Sequence, residues 1–352
     1  PGAPRRTVLP GRPTPPCTPG IPRPPATPRT RSASRLPFST APSAAATSGS
    51  ALDQQPVVTV QDWAGKLVTT DTSSVVLTLT TPDGATLSCL SNATTAVYGV
   101  ARFAGCAIDK AGTYTLTATD GSLTSATSIA IANTAGAPAT VTVVSGFAQS
   151  ATVGQDFASP LVVRVTDANA NPVRGVTLTF SAPEPGASGT FINSTATTAA
   201  LSDANGLAAT GVLTANVTAG TYSLGVSAGA LSSTFTLTNS PGAATTFAII
   251  TAQLTGPAAA DASMGPVRVE LQDRYGNPVP APAGGADVAL ASDSAGTAVF
   301  ATTLAGTSVA SILIPAGASS ATFFYGDTAP GSPVITTSGL LISAQQTETI
   351  TA

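Results

Sequence analysis

VTDANANPVRGVTLTF, running from Val165 to Phe180, is two alternating apolar runs joined by a polar turn that closes at Asn171-Pro172. Apolar side chains at every second position are what a strand needs when one of its faces is buried. The stretch has two relatives, VQDWAGKLV from Val60 and LQDRYGNPV from Leu271, the second closing at Asn277-Pro278. Their aspartates, Asp62, Asp167 and Asp273, recur at intervals of about 105 residues. Solenoid and propeller repeats run at about 20–50 residues. The longer period belongs to whole domains in tandem.

Other marks keep the same period. AGTYTL from Ala111 returns as AGTYSL from Ala219, and NTAGAP from Asn133 returns as NSPGAA from Asn239. The unit between these marks holds about seven short strands, with a tight turn at Asp203-Ala204-Asn205-Gly206, which is the size of an immunoglobulin-type β-sandwich. The expected fold class is all-β: tandem immunoglobulin-like β-sandwiches preceded by a disordered Pro/Arg-rich tail. The expected boundaries are 1–52 for the tail or linker, 53–134 and 135–240 for the first two sandwiches, and 241–352 for a third, divergent one. The joints are only a few residues long, so neighbouring sandwiches are expected to be stiffly coupled.

Composition supports that class. Charged residues make up 9% of the 352 and aromatics 5%, with Thr, Ser, Ala, Val and Gly dominant, which suits small cores under hydroxyl-rich surfaces. There is no histidine. That removes Ser-His-Asp and Cys-His nucleophile systems and imidazole metal sites. No G-x-S-x-G elbow, P-loop or G-x-G-x-x-G appears, so neither enzymatic activity nor a cofactor is expected. No stretch approaches the ~18 apolar residues of a membrane span. Residues 1–50 carry seven arginines and no acid, while the body beyond them is acidic and a poor partner for nucleic acid. Without apolar periodicity the tail is expected to stay disordered. A linker, or text lying upstream of a true start, fits it better than a basic arm for an anionic wall polymer or an SH3-like partner. With neither an initiator Met nor a sorting signal, the chain is expected to be part of a longer one.

Candidate sites are few. Asp167, Asn169 and Asn171 have the D-x-N-x-N spacing that opens a calcium loop, but Pro172 and Leu178 stand where an EF-hand needs Gly and Glu. A turn in which these side chains bond their own backbone is the better reading. Cys89 and Cys106 share one small β-domain with no zinc-type spacing, which favours a disulfide worth about 3 kcal/mol; Cys17 is left over. Asn92, Asn193 and Asn216 begin N-x-S/T triplets of the kind this composition produces by chance. Trp63 is expected to cover a core edge, with an exposed contact role as the alternative.

The run D-A-N-x-N-P-V-x-G-V-x-L-T-F, then S-D-A-N-G-x-A, then T-A-G-T-Y-x-L resembles the group 1 bacterial immunoglobulin-like domains of the invasin and intimin type. The likeness covers residues 135–239 throughout. The first unit keeps the Gln-Asp turn and AGTYTLTA but has Gly65-Lys66 in place of Asn-Pro; the third keeps LQDRYGNPV and then departs. DKAGTYTLTA from Asp109 is also similar to the D-x-A-G-x-Y-x-C stretch of immunoglobulin domains. There the tyrosine hydroxyl bonds back to backbone at a sandwich corner. Tyr114, and Tyr222 at the matching place, read either as such corner residues or as half-buried strand tyrosines. The resemblance implies an extracellular or cell-surface location and a role as spacer or stalk with a contribution to adhesion. A binding module that recognises carbohydrate or a host protein through loops at a sandwich end is the alternative. Cell-wall polymer, glycan or host surface protein are the partners it would imply, and it carries over no binding residue.

Overall fold

Alternation becomes packing in three separate cores. One gathers side chains from Leu36 to Ile131, a second from Val141 to Leu237, and a third from Phe247 to Ile350. The computed structural model describes Gly2, Gly11 and residues 31–352. Among the described residues every regular element is a strand, and no helix is long and apolar enough to cross a membrane.

The second unit shows the plan most fully. Val162–Thr166 sits between Thr140–Ser145 and Leu207–Ala209 in one sheet. The facing sheet has the order Ser150–Thr152, Leu231–Ser240, Gly220–Ala228, Thr177–Ser181, Thr197–Leu201. Val163 and Val165 of the first sheet, and Leu178, Phe180, Leu224, Phe235 and Leu237 of the second, are completely buried. Each such side chain is worth about 1.5–3 kcal/mol in apolar burial. The intervening residues of Thr177–Ser181 are exposed, which pins the register, because a one-residue slip would turn Leu178 and Phe180 to solvent.

Each unit opens in the same way. A first strand lies antiparallel to its neighbour, and the chain then crosses over to lie parallel to the last strand of the unit. In the second unit these are Thr140–Ser145 and Ser150–Thr152, the latter parallel to Leu231–Ser240. In the third they are Thr246–Ile249 and Thr255–Pro257, the latter parallel to Thr349–Thr351. In the first they are Phe38–Thr40, antiparallel to Val57–Thr59, and Ala45–Thr47, parallel to Ile131–Thr134.

That last pair corrects the expected boundary at residue 53. Residues 33–52 are the opening of the first sandwich, with Leu36 0% and Leu52 3% exposed. Their two strands, FST and AAT, are too short to show alternation and are held by ladder hydrogen bonds that composition does not reveal. The period did carry the signal. Stepping back about 105 residues from Thr140–Ser145 and Ser150–Thr152 lands on them. Of the rest of the expected tail, Gly2, Gly11, Arg31 and Ser32 are described, and the other residues lie outside the described ones.

The third unit places Thr246–Ile249, Met264–Gln272, Ser320–Asp327 and Ala298–Ala301 in one sheet, with Ser311–Ile314, Ala286–Ser292, Val334–Ser338 and Ala344–Thr347 in the other. Glu348 is completely buried there, accepting the Leu254 N–H at 2.5 Å and the Gln346 side chain at 2.8 Å. Burial pushes its carboxyl above the usual range, and these two donors offset that only in part. An acid whose folded pKa is raised favours folding below its unfolded value of about 4.3, and that contribution is lost as pH rises through the folded pKa. Glu348→Gln keeps one acceptor for these two donors, so the expected result is relative: its melting temperature should gain on that of the parent chain by a few degrees, about 1 kcal/mol, between pH 4 and pH 7–8. Calorimetry across that range checks it, and a pH-independent difference would count against it.

Candidate functional site at the domain joints

The recurring aspartate turn is a hub of hydrogen bonds. Asp167 Oδ1 accepts the backbone N–H groups of Asn169 at 2.9 Å and Asn171 at 2.8 Å, while Asp167 N–H donates to the Asn171 carbonyl at 2.9 Å. Its Oδ2 accepts the Asn171 side-chain amide at 2.9 Å and the N–H of Gly136, in the preceding linker, at 2.8 Å. Asp273 repeats the set with Tyr275, Asn277 and the linker Gly242, whose N–H lies 2.9 Å from Oδ2. Burial pushes both carboxyls up. The donors from the linker glycine and the asparagine outweigh it and leave both below the usual carboxylate range. The D-x-N-x-N spacing is thus spent on backbone and linker, because a buried carboxylate is tolerable only when its lone pairs are matched. Pro172 and Pro278 follow directly and return the chain to the strand, bridging Thr166 and Gln272.

The asparagines reach across the joints. Asn171 Oδ1 accepts the N–H of Ala111 at 2.8 Å, and its Nδ2 donates to the Asp109 carbonyl at 2.9 Å and to Ser48 Oγ at 2.7 Å. Ala111, Asp109 and Ser48 all belong to the first sandwich. Asn277 Oδ1 accepts the N–H of Ala219 at 2.8 Å, and its Nδ2 donates to the Val217 carbonyl at 2.8 Å, both in the second sandwich. One planar amide therefore satisfies a donor and an acceptor on the segment just before each Gly-Thr-Tyr strand. Asn169 adds a bond to Ser48 at 2.9 Å. The socket is itself held by a buried asparagine on the last strand. Asn133 donates to the Ile108 and Lys110 carbonyls at 3.2 and 2.7 Å, and Asn239 to those of Ser188 and Thr218 at 2.8 and 3.1 Å.

The aspartate turn, the Ala-Gly-Thr-Tyr segment and the linker asparagine are all visible in the sequence as repeats, but nothing there says that they meet. Ser48 and Val217 had no signal of their own. The available clue was that two motifs recurring with one period in adjacent domains keep a fixed offset from each other.

The remaining candidates fall as follows. Asp62 makes the same turn, accepting N–H from Ala64 and Lys66 at 3.0 and 2.9 Å, with the Arg31 guanidinium 4.0 Å from its Oδ2. Cys89 and Cys106 are joined in a disulfide, and the Cys106 backbone holds Leu52 and Gln55 at 2.8 Å each. Tyr114 is buried and its hydroxyl donates to the Ala111 carbonyl at 3.4 Å, the long end of the hydrogen-bond range. Tyr222 is buried too, but its hydroxyl has no partner among the described residues, so it packs as a strand tyrosine. Burial raises both phenols above their ordinary value. Trp63 corrects its expectation. At 86% exposed it covers no core edge, because the position after the turn aspartate faces solvent in all three turns, as Ala168 and Arg274 do after Asp167 and Asp273. Tyr98, 75% exposed, lies on another turn of that end, where Gly99 accepts the Val60 N–H. The third sandwich carries an apolar cavity of about 500 Å³, lined in part by Phe247, Leu271, Leu340 and Leu341.

Sandwiches repeated in one chain and locked through a shared turn make this a tandem array of immunoglobulin-like domains. No family model matches the chain, and no curated protein does. Solved structures similar to it include invasin, a bacterial integrin-binding protein, at 16% identity and TM-score 0.38, covering 90% of this chain and 60% of that one. A three-domain immunoglobulin fragment of titin is similar at 12% identity and TM-score 0.33, covering 90% and 98%. The adhesin InvE of Yersinia pseudotuberculosis is similar at 18% identity and TM-score 0.27, covering 58% of each chain. The chain thus spans less than two thirds of the length of invasin, and the likeness is one of fold.

Proposed function

We propose that the chain is a stiff spacer in an extracellular or cell-surface protein, a stalk that holds other parts at a distance and takes no part in catalysis. The observation that carries this reading is that both joints close through the same buried amide, Asn171 in one and Asn277 in the other. A flexible tether has no use for buried, directional bonds between neighbours. Ordering a joint costs conformational entropy, and reach is what that ordering provides. With strands rising about 3.3 Å per residue, each sandwich is about 25–30 Å long. Small-angle scattering of the full chain should therefore give an elongated particle whose folded part spans about 80–100 Å. A compact profile would sink the stalk.

A second reading draws on one observation. Trp63 and Tyr98 stand exposed at the outer end of the first sandwich, where aromatic faces suit stacking on a sugar ring or a protein partner. A glycan or host-matrix ligand bound there, and lost in Trp63→Ala, would promote the binding module over the spacer.

A further inference from the structure

The two joints share one chemistry, and the outer face of the third sandwich departs from it at the two positions that matter. Gly331 pairs with Ile350 as Gly112 pairs with Asn133 and Gly220 with Asn239. That alignment is by ladder register, independent of sequence likeness. It places Pro330 where Ala111 and Ala219 stand, and Ile350 where the socket asparagines stand. Proline has no N–H, so the donor that meets Asn171 Oδ1 and Asn277 Oδ1 does not exist on this face. An amide oxygen brought against Pro330 would lose water and gain no donor in exchange. Ile350, buried in the third core, has no amide with which to hold the socket carbonyls as Asn133 and Asn239 do. The opposite end of the array is altered too. Lys66 takes the place of Asn171 in the Asp62 turn, and an ammonium offers donors but no acceptor.

We infer that the third sandwich ends in a blocked socket, which refuses the amide clamp to any domain bearing the Asp-x-x-x-Asn turn, including a second copy of this chain's own third domain.

The inference rests on the clamp reading of the joints, and the test separates the two. The chain is extended by fusing a second copy of residues 242–352 after Ala352, which reproduces the linker length of the native joints, in a Cys17→Ser background. Spin-label pairs on exposed threonines report the distance distribution across the native joint between the second and third sandwiches and across the new joint. The native joint should be narrow and the new one at least twofold broader. Pro330→Ala with Ile350→Asn should narrow the new joint to the native width. Where Ile350→Asn unfolds the third sandwich, Pro330→Ala alone, at an exposed position, restores the donor and should recover part of the narrowing. A new joint as narrow as the native one without substitution overturns the block, and so does a folded variant that stays broad. A broad native joint overturns the clamp itself and the stalk with it.

Discussion

A chain that begins at Asp53 should show no cooperative unfolding of its first sandwich, while the transitions of the second and third persist. The shortened chain lacks Phe38–Thr40 and Ala45–Thr47, which leaves Val57–Thr59 and Ile131–Thr134 as exposed edges, and it lacks the buried Leu36 and Leu52. Losing a core leucine costs about 2–5 kcal/mol, and a domain of this size has only about 5–15 kcal/mol in all. The Cys89–Cys106 bridge restrains the unfolded chain but supplies neither strand nor core. Ser48 would go as well, and with it one acceptor of the Asn171 clamp. Calorimetry against the full chain is the measurement. Retention of all three transitions would show that the opening strands are ornamental.

Asp167→Ala should destabilise the second sandwich by about 3 kcal/mol and loosen its joint to the first. The lost carboxylate leaves the N–H groups of Gly136, Asn169 and Asn171 without acceptors, and each such buried donor costs about 1–3 kcal/mol, partly recovered by water. Asn171 then loses the partner that fixes its amide, so its bonds to Ala111, Asp109 and Ser48 go slack. Asn171→Ala should release the joint with a smaller loss of sandwich stability, since the Asp167 turn keeps its backbone donors. Acid should mimic the first substitution. A carboxyl whose folded pKa lies below its unfolded value of about 3.9 stabilises above that value, and the contribution is lost as pH falls through the folded pKa. Both joints are therefore expected to hold from pH 5 upward and to loosen below about pH 4, the opposite sign to Glu348. Denaturant melts and scattering at pH 7 and pH 3 check this. Equal melting of Asp167→Ala and the parent chain would remove the hub from the account.

The sequence by itself determined whatever depends on periodic burial. Val163, Val165, Leu178 and Phe180 alternate because a strand presents every second residue to the core, and that pattern survives without knowledge of any neighbour. The period of the Asp62, Asp167 and Asp273 turns set the number of units, and the absence of histidine removed imidazole as a general base or metal ligand. Tertiary structure alone decided three things. It drew Phe38–Thr40 and Ala45–Thr47 into the first sandwich, since strands of three residues have no periodicity to read and owe their place to partners about 20 and 90 residues away. It turned Trp63 outward, because the position after each turn aspartate points away from the sandwich, with Ala168 and Arg274 exposed at the matching places. It made Asn171 and Asn277 clamps rather than mere turn residues. An amide side chain in a local turn and one that spans two domains are the same letters, and only the position of Ala111 or Ala219 opposite its oxygen tells them apart.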